Sequence, residues 1–487
     1  MPRPIVVRPG CDSRRRSAGA PPTAATTRPA GPVYKVCVLA LNAGSPQRAE
    51  FSMSLTALRP CGERILRWAD ALARHSDHPD HLTCAYMTPA HRAVAAALET
   101  LMREAGFDEV RHDAVGNVIG RYRAAPERQP ARLVSTGSHY DTVRNGGRYD
   151  GRLGILLPIA IVADLHAQGR RLPFDFEVVG FAEEEGLRFG STFLGSSAYV
   201  GRFDMSTLDR LDAQGIAMRD ALRDAGFDPD ALRDRAPRQA GADVRHVTGA
   251  AGDADLAHYF EVHIEQGPVL LQRGLAVGVV SAIAGGVRRL LTLEGQAGHA
   301  GTTPMNMRHD AACAAAEIVL AVERRCARGD GLVGTVGRLE VPDGSVNVIP
   351  GCCRLSLDVR APDDAVRDAA LADLDAEIAA VCARRGVRHA MEEIMRVPAT
   401  PCAGAQRSLW SAAIAAHGVP VHELSSGAGH DAMMVAKTAP VSMLFVRCGN
   451  GGISHNPLET VTEQDVQLAA QVTETFLLGL DATLAGN

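Results

Sequence analysis

The order of helix-like and strand-like segments is the feature that most constrains the fold of this 487-residue chain. In the first half, helical segments alternate with short, largely apolar strands such as 132–136 and 174–181. Thr88 and Pro89 mark one helix start as N-cap and first helical residue, and Gly106 ends that helix. Apolar strands that alternate with helices predict an α/β sheet with helices on both faces.

From Val287 the pattern becomes that of a smaller antiparallel sheet. The predicted elements are a half-exposed strand, a helix, two strands and a second helix, near residues 287–295, 310–328, 334–339, 354–360 and 363–384. This order predicts an α+β unit with helices on one side of its sheet. The α/β pattern returns after Pro401, so we expect a main domain of 54–285 and 402–487, interrupted by an inserted domain at 286–401.

Charge is distributed unevenly along the chain. Residues 1–53 carry eight basic and two acidic side chains, a net charge of +6 that leaves −11 for the rest of a chain whose total is −5. Eight of the 27 prolines lie in this segment, which has no hydrophobic period and is therefore predicted to be a disordered basic tail. Its composition fits a transit peptide, and a true start at Met53 explains it equally well.

Composition excludes several classes of protein. No apolar run approaches the 18 residues of a membrane span, so we expect no membrane partner. Arginine replaces lysine almost completely, with only Lys35 and Lys437 among 51 basic residues, so the arginine count is no argument for nucleic-acid binding. The eleven cysteines form no C-x-x-C pair, which predicts reduced thiols in the cytoplasm and excludes a cysteine-ligated zinc. Any metal ligands must then be His, Asp or Glu.

Three polar clusters follow the ends of predicted elements in the first half. They are GSHYDT at 137–142, YDG at 149–151 and AEEEG at 182–186. Ligands of open α/β sheets bind at the carboxyl ends of the strands, so these clusters are expected to share one edge. A single His-x-Asp is usually a surface turn and a run of glutamates is usually solvated, but this placement, with a glycine beside each cluster, favours a site.

The residue types in these clusters suit divalent metals. His139 and Asp141 fit a ligand and the carboxylate that orients its ring, and the two oxygens of Asp150 could bridge two ions. Glu184 and Glu185 could divide the roles of ligand and base for an activated water, in either order.

Seven motifs then follow one another along the chain. They are GSHYDTVRNGGRYDG, AEEEGLRFGSTFLGS, HIEQG, GQAGHAGTTPMNMRHDA, NVIPG, SGAGHDA and GISHNPLE. Together they resemble the hydantoinase/carbamoylase branch of the di-metal aminoacylase and carboxypeptidase-like hydrolases. That branch includes allantoate amidohydrolases, N-carbamoyl-L-amino-acid hydrolases and β-ureidopropionases. The resemblance extends from about Leu58 to Leu478.

The resemblance implies a di-metal aminopeptidase-like catalytic domain, an inserted lid and dimerisation domain, and a homodimer. It implies two divalent ions per subunit, Zn²⁺ or Mn²⁺, whose ligands match His139, Asp150 as the bridge, Glu185, His263 and His455. Taken alone, each of the last two histidines is equally well explained as a core or surface residue. The base matches Glu184, so Glu183 has no role, and Asp141 orients His139.

Residues of the lid are implied to bind the substrate, often across the dimer interface. His299 would stabilise the developing oxyanion, Asn347 and Arg360 would hold the substrate, and Gln266 would line the pocket. The fork of Arg360 can bind a carboxylate bidentately, with a structural ion pair as the alternative. Arg308 could bind substrate or anchor the lid.

Two further residues have more than one possible role, and two segments depart from the pattern of the family. His430 and Asp431 in SGAGHDA could cap a helix, support the site or touch substrate. The polar, Gly/Ala-rich segment 236–253 is expected to form a surface loop, and 447–450 replaces a proline-containing turn beside His455.

These features predict a cytoplasmic, homodimeric amidohydrolase that cleaves a ureido or carbamoyl C–N bond of a small carboxylate-bearing molecule. The segments LTCAYMTPAHRA and DAVGNVIGRY resemble bacterial allantoate amidohydrolases, which favours allantoate and a role in purine catabolism. N-carbamoyl-L-amino acids and 3-ureidopropionate are the alternatives. The motif HIEQG places His263 at the ligand position of this branch, which disfavours a peptidase or an aminoacylase. The presence of Glu184 beside a full ligand set disfavours a metal-binding protein without catalytic activity.

Overall fold

The computed structural model describes residues 61–233, 256–329 and 331–484, with side chains to Asp481. All of them belong to one compact unit, Met53–Asn487. The predicted basic tail, 1–53, and the predicted surface loop, 236–253, lie outside the described residues.

Eleven α-helices are found in the described part of the chain. They are α1 (Cys61–Leu72), α2 (Pro89–Glu104), α3 (Arg152–Ala167), α4 (Leu194–Tyr199), α5 (Met218–Asp224), α6 (Val269–Arg273), α7 (Ala311–Cys326), α8 (Asp364–Arg385), α9 (Gly404–Ala416), α10 (Ala432–Val435) and α11 (Glu463–Leu484). As predicted, Thr88 caps α2, and its side chain accepts a hydrogen bond from the backbone N–H of His91. None of these helices has the length and apolar character needed to cross a membrane.

Sixteen strands are found in the same residues. They are β1 (Glu109–His112), β2 (Val118–Tyr122), β3 (Leu133–His139), β4 (Asp175–Phe181), β5 (Leu256–Ile264), β6 (Val277–Ile283), β7 (Gly285–Glu294), β8 (Gly298–His299), β9 (Val333–Thr335), β10 (Leu339–Glu340), β11 (Val348–Ile349), β12 (Cys352–Ala361), β13 (Arg388–Val397), β14 (Thr400–Pro401), β15 (Glu423–Ser426) and β16 (Val441–Val446).

Nine of these strands form a large mixed sheet in the order β1-β2-β4-β3-β5-β16-β6-β14, with β15 beside β6. Its centre is the parallel group β4-β3-β5-β16, so the carboxyl ends of four strands meet at one edge. β3 continues to His139, beyond the predicted end at Thr136, because its last residues pair with β4 up to Phe181. The first polar cluster therefore begins inside the strand rather than after it.

Helices pack on both faces of the large sheet, as predicted. On β5, Phe260 and Val262 belong to a core shared with α1, α2, α3, α9 and α11, whereas Tyr259 belongs to a core shared with α4, α6 and α10. Because side chains alternate along a strand, each face of the sheet buries its own set. The carboxyl edge is thereby held on a rigid support.

A second, antiparallel sheet has the order β10-β12-β7-β13, with β9 beside β12. α7 and α8 cover one face, where Ile318 and Ile378 pack on Leu293 and Leu355. This is the predicted α+β arrangement, with one further strand, β13, that the sequence pattern does not indicate. RHAMEEIMRV is mostly exposed on an edge strand and shows no clean alternation of polar and apolar residues. Since both sheets lie in one compact unit, the division into catalytic domain and lid stays a prediction.

Candidate metal centre

The predicted metal-binding residues lie at the carboxyl edge of the large sheet. His139 is the last residue of β3, and His263 is the penultimate residue of β5. Glu184 and Glu185 follow β4, and His455 lies in the loop after β16. The four parallel strands therefore bring together side chains that are more than 300 positions apart in the sequence.

Asp150, two residues before the start of α3, stands at the centre of this group. Its Oδ1 lies 3.3 Å from His263 Nε2 and 3.9 Å from His139 Nε2. Its Oδ2 lies 3.1 Å from Nε2 of His455, which is in turn 3.4 Å from Oε1 of Glu185. Burial alone would raise the pKa of Asp150, but the hydrogen bond from His455 and the nearby histidine charges hold it well below its usual value.

The ligand atoms fall into two compact sets that share Asp150. His139, Asp150 and His263 have ligand atoms within 4.8 Å of one another, and so do Asp150, Glu185 and His455. A carboxylate has two oxygens and can serve one ion on each side. This is the arrangement expected of a pair of divalent ions bridged by Asp150.

The orientations of two imidazole rings provide an independent test of fit. Nδ1 of His263 lies 2.9 Å from the carbonyl oxygen of Ile264, and Nδ1 of His139 lies 3.2 Å from the carbonyl oxygen of Asp141. A carbonyl oxygen can only accept, so in the neutral rings the proton is on Nδ1 and the lone pair of Nε2 faces Asp150. Metal-binding histidines show this pattern. The residues present therefore fit divalent metal ions.

Crowding of buried carboxylates supports the same conclusion. Burial raises the pKa of Glu184 well above its ordinary value, and the nearby charges of Glu185 and Asp431 raise it further. Burial, together with Asp150, raises the pKa of Glu185 to about 7. Divalent cations among these groups would offset their mutual repulsion.

Asp141 joins the first and third polar clusters. Its Oδ1 lies 3.3 Å from Nδ1 of His139 and accepts a hydrogen bond of 3.1 Å from the backbone N–H of Glu184. Its Oδ2 accepts one of 3.1 Å from the backbone N–H of Glu185. The fully buried Asp141 carboxylate thus orients one histidine and fixes the backbone that carries both glutamates.

Glycine is required directly after Asp150. Gly151 has φ +67°, and a Cβ there would lie 2.4 Å from the carbonyl oxygen of His139 and 2.6 Å from its ring. Two residues of the site with larger side chains, Gln266 and His455, also have positive φ, at 55° and 54°. Such backbone conformations are uncommon for these residue types and cluster at functional sites.

Glu459 is a residue of the site that the sequence analysis did not assign. Its Oε1 accepts hydrogen bonds from the backbone N–H groups of Tyr149 at 2.9 Å and Asp150 at 3.2 Å. Its Oε2 accepts one from Ser454 Oγ at 2.8 Å. This buried carboxylate therefore ties the loop of Asp150 to the loop of His455. The sequence feature that could have indicated Glu459 is its position in the motif GISHNPLE, four residues after His455.

Gln266 contacts Asp150 directly. Its Nε2 donates to both carboxylate oxygens of Asp150 at 3.1 Å, and its backbone N–H donates to the sulfur of Cys448 at 3.3 Å. Cys448 is fully buried, and burial raises the pKa of its thiol to about 12. The segment 447–450 that departs from the family thus supports the backbone of Gln266.

The predicted lid residues His299 and Asn347 lie side by side. β8 pairs with β11, and the backbone N–H of Ala300 donates to the carbonyl oxygen of Asn347 at 2.9 Å. Both side chains are exposed, and within the described residues no hydrogen bond joins either of them to Asp150. Nδ1 of His299 accepts a hydrogen bond of 3.0 Å from the backbone N–H of Gly301. An accepting Nδ1 means that the neutral ring carries its proton on Nε2, where it is available as a donor.

Arg360 lies on β12 and is held by a carboxylate of its own strand. Its Nε and Nη2 donate to the two oxygens of Asp358 at 2.9 and 3.0 Å. Its Nη1 donates to the carbonyl oxygen of Gly427 at 2.8 Å. The ion pair considered as the alternative for Arg360 is therefore present, together with a contact to the SGAGHDA loop.

Two of the remaining open residues, His430 and Arg308, have structural partners. The ring of His430 lies 4.5 Å from the ring of His263, and its Nε2 lies 2.7 Å from Ser426 Oγ. Asp431 precedes α10, is fully buried and forms no side-chain capping bond. Arg308 donates to the carbonyl oxygens of residues 300 and 303, and so anchors the loop that follows His299.

Comparison with known proteins places this geometry in a family. A model of peptidase family M20/M25/M40 matches residues 136–479. The chain belongs to peptidase family M20/M25/M40. It is 37% identical over 440 residues to allantoate deiminase 1 of Glycine max, covering 84% of this chain and 87% of that protein. It is 36% identical over 412 residues to the N-carbamoyl-L-amino acid amidohydrolase of Geobacillus stearothermophilus, covering 84% and 96%.

A solved structure supports the narrower assignment within the family. The hydantoinase/carbamoylase family amidase of Burkholderia multivorans superposes with a TM-score of 0.77 at 32% identity, covering 86% of this chain and 97% of that one. The resemblance inferred from the seven motifs is thereby confirmed.

Proposed function

We propose that this M20-family protein is a metal-dependent amidohydrolase that cleaves a ureido or carbamoyl C–N bond of a carboxylate-bearing small molecule. The observation that carries the proposal is the pair of three-residue ligand sets that share Asp150. The two similar proteins named above act, by their names, on allantoate and on N-carbamoyl-L-amino acids. Both substrates combine a ureido group with a carboxylate, and the proposal is stated in terms of this shared chemistry.

The residues would divide the work as follows. Divalent ions held by the two sets would polarise the ureido carbonyl and lower the pKa of the attacking water. Glu184, whose carboxylate lies within 4.8 Å of ligand atoms of His139 and Glu185, takes the proton of that water and delivers it to the leaving nitrogen. Asp141 keeps His139 and the backbone of Glu184 in position.

Substrate binding is assigned to residues of β12, at the β8-β11 pair and in the loop after β5. His299 donates from Nε2 to the developing oxyanion, because Gly301 occupies its Nδ1. Arg360 binds the substrate carboxylate, Asn347 holds a second polar group, and Gln266 lines the pocket beside Asp150.

Allantoate is the first proposed substrate, with release of ammonia and carbon dioxide. N-carbamoyl-L-amino acids come second and 3-ureidopropionate third. A panel of the three acids, with purified, metal-loaded protein and ammonia detection, tests the order. The highest kcat/KM is expected for allantoate. A higher value for an N-carbamoyl-L-amino acid would reassign the substrate within the same chemistry, and no ammonia from any of the acids would refute the proposal.

The nature of the ions and the compartment are part of the proposal. Imidazole and carboxylate ligands suit Zn²⁺ and Mn²⁺, and two ions per subunit are expected. All nine described cysteines are thiols, which supports a reducing compartment such as the cytoplasm.

A homodimer is proposed because large apolar side chains are exposed near His299 and Asn347 in the sequence. The exposed apolar side chains of Met305, Met307 and Val346 lie close to these residues in the sequence, and a second copy would cover them.

A mixing experiment tests whether His299 acts across the interface. Glu184→Gln and His299→Ala subunits, each inactive alone, are unfolded and refolded together. If His299 serves the partner's site, hybrids contain one intact site, and random pairing restores roughly a quarter of wild-type activity. If the mixture stays inactive while pull-down of one differently tagged subunit by the other shows hybrid dimers, His299 acts within its own subunit. A monomer in sedimentation would refute the dimer.

A further inference from the structure

Asp358 on β12 makes the most extensive contact with the proposed carboxylate-binding residue. Its two oxygens accept hydrogen bonds of 2.9 and 3.0 Å from Nε and Nη2 of Arg360. Its Oδ2 also accepts one of 2.8 Å from Nε of Arg288. Burial would raise the pKa of Asp358, but these guanidinium groups lower it overall. Asp358 is therefore an ionised acceptor that receives three hydrogen bonds from two arginines.

The strand register produces this contact. Asp358 and Arg360 are two residues apart on β12 and so share one face. Arg288 on β7 is directly opposite Asp358, and Gly286 is directly opposite Arg360. A Cβ on Gly286 would lie 3.4 Å from Cγ of Arg360, which is ordinary van der Waals contact. The stem of Arg360 therefore lies directly over Gly286 of the neighbouring strand.

The guanidinium is held at a third point by the SGAGHDA loop. Nη1 of Arg360 donates to the carbonyl oxygen of Gly427 at 2.8 Å. In the same loop, Ser426 contacts His430, whose ring packs on the metal-binding candidate His263. Three of the five N–H donors of Arg360 are thus used, and one remains on each terminal nitrogen. Each of these two donors can still bind an oxygen of a substrate carboxylate.

We propose that Asp358 is a positioning residue for substrate recognition, which fixes the guanidinium of Arg360 so that its two remaining donors meet the substrate carboxylate. The inference rests on the proposed function. A long arginine side chain loses rotamer freedom when it binds a ligand, and a fixed partner reduces that loss before the substrate arrives. If Asp358 instead competes with the substrate for the guanidinium of Arg360, replacing Asp358 should lower KM rather than raise it.

The test compares Asp358→Asn and Asp358→Ala with wild type on two substrates: the best acid of the panel, and the same compound with its carboxylate replaced by a carboxamide. For the acid we expect KM to rise about tenfold while kcat stays within about twofold, since the reacting atoms are untouched. For the carboxamide, KM should change little. Asp358→Glu should recover part of the loss.

The matched control is Asp373→Asn. Asp373 is an exposed aspartate on α8 that pairs with Arg325 at 2.7 Å, without a contact to Gly427. Its substitution should leave KM and kcat unchanged. Thermal unfolding shows whether each variant is folded.

An unchanged or lower KM in folded Asp358→Asn and Asp358→Ala would overturn the inference, and a lower value would show competition. If wild type hydrolyses none of the acids, the proposed function fails separately. Calorimetric binding of the same acids to the metal-loaded proteins then decides about Asp358. Weaker binding to the variants would support the inference, whereas equal affinities or no binding to wild type would refute it.

Discussion

The contacts of Glu459 lead to a prediction about metal affinity. Its carboxylate accepts hydrogen bonds from the backbone of Tyr149 and Asp150 on one oxygen and from Ser454 on the other. Glu459→Gln keeps the size of the side chain but replaces one acceptor by an amide nitrogen. Either Ser454 or the two backbone N–H groups then lose their partner.

The expected loss can be estimated from these contacts. A hydrogen bond to a charged group contributes about 1.5–3 kcal/mol. Residues that orient metal ligands typically change metal affinity by about 10- to 100-fold, or about 1.4–2.8 kcal/mol. Both estimates agree, so we expect the metal dissociation constant of Glu459→Gln to rise by that factor.

The assay is competition between the protein and a chelating dye for Zn²⁺ or Mn²⁺. Glu463→Gln is the matched control, because Glu463 is exposed in the first turn of α11 and is not in contact with Asp150. Equal dissociation constants for folded Glu459→Gln and wild type would refute the reasoning. A similar loss in Glu463→Gln would show that the effect is not specific to the site.

Three further predictions concern the base, the support of Glu459 and a helix cap. Glu184→Gln should keep its metal content and lower kcat by about 10²–10⁴-fold, and a rate near wild type would exclude Glu184 as the base. Gly147→Ala should weaken metal binding in the dye assay, because its Cβ would lie 2.1 Å from Cδ of Glu459; unchanged affinity would show that the loop adjusts. Thr88→Ala should lower the free energy of unfolding by about 1 kcal/mol in denaturant titration, and no change would show that the cap bond to His91 is dispensable.

Local signals in the sequence were sufficient for much of the fold. Thr88 and Pro89 define the start of α2 by chemistry that acts within one turn. The end of β3 could not be placed in the same way, since residues 137–139 are small or polar and only their pairing with β4 extends the strand. β13 was missed for a related reason, because an edge strand with charges at successive positions lacks the period of a half-buried strand.

The proximity of candidate residues was predictable where it follows from a residue's own type and its neighbours in the sequence. Asp141 was expected to orient His139, and its carboxylate lies 3.3 Å from that ring. Glu459 and Asp358 act through contacts that sequence spacing cannot show. Glu459 reaches a backbone 309 positions away, and Asp358 occupies a half-exposed strand position where any polar residue would fit the pattern.

Metal-dependent hydrolysis of a ureido acid at the two ligand sets that share Asp150 is the activity proposed for this chain. Its most direct test is ammonia release from allantoate by chelator-treated protein, titrated with Zn²⁺ or Mn²⁺. We expect no turnover without metal and a rate that rises until two equivalents per chain are bound. Turnover that is independent of added metal, saturation at one equivalent, or no ammonia at any metal concentration would contradict the proposal.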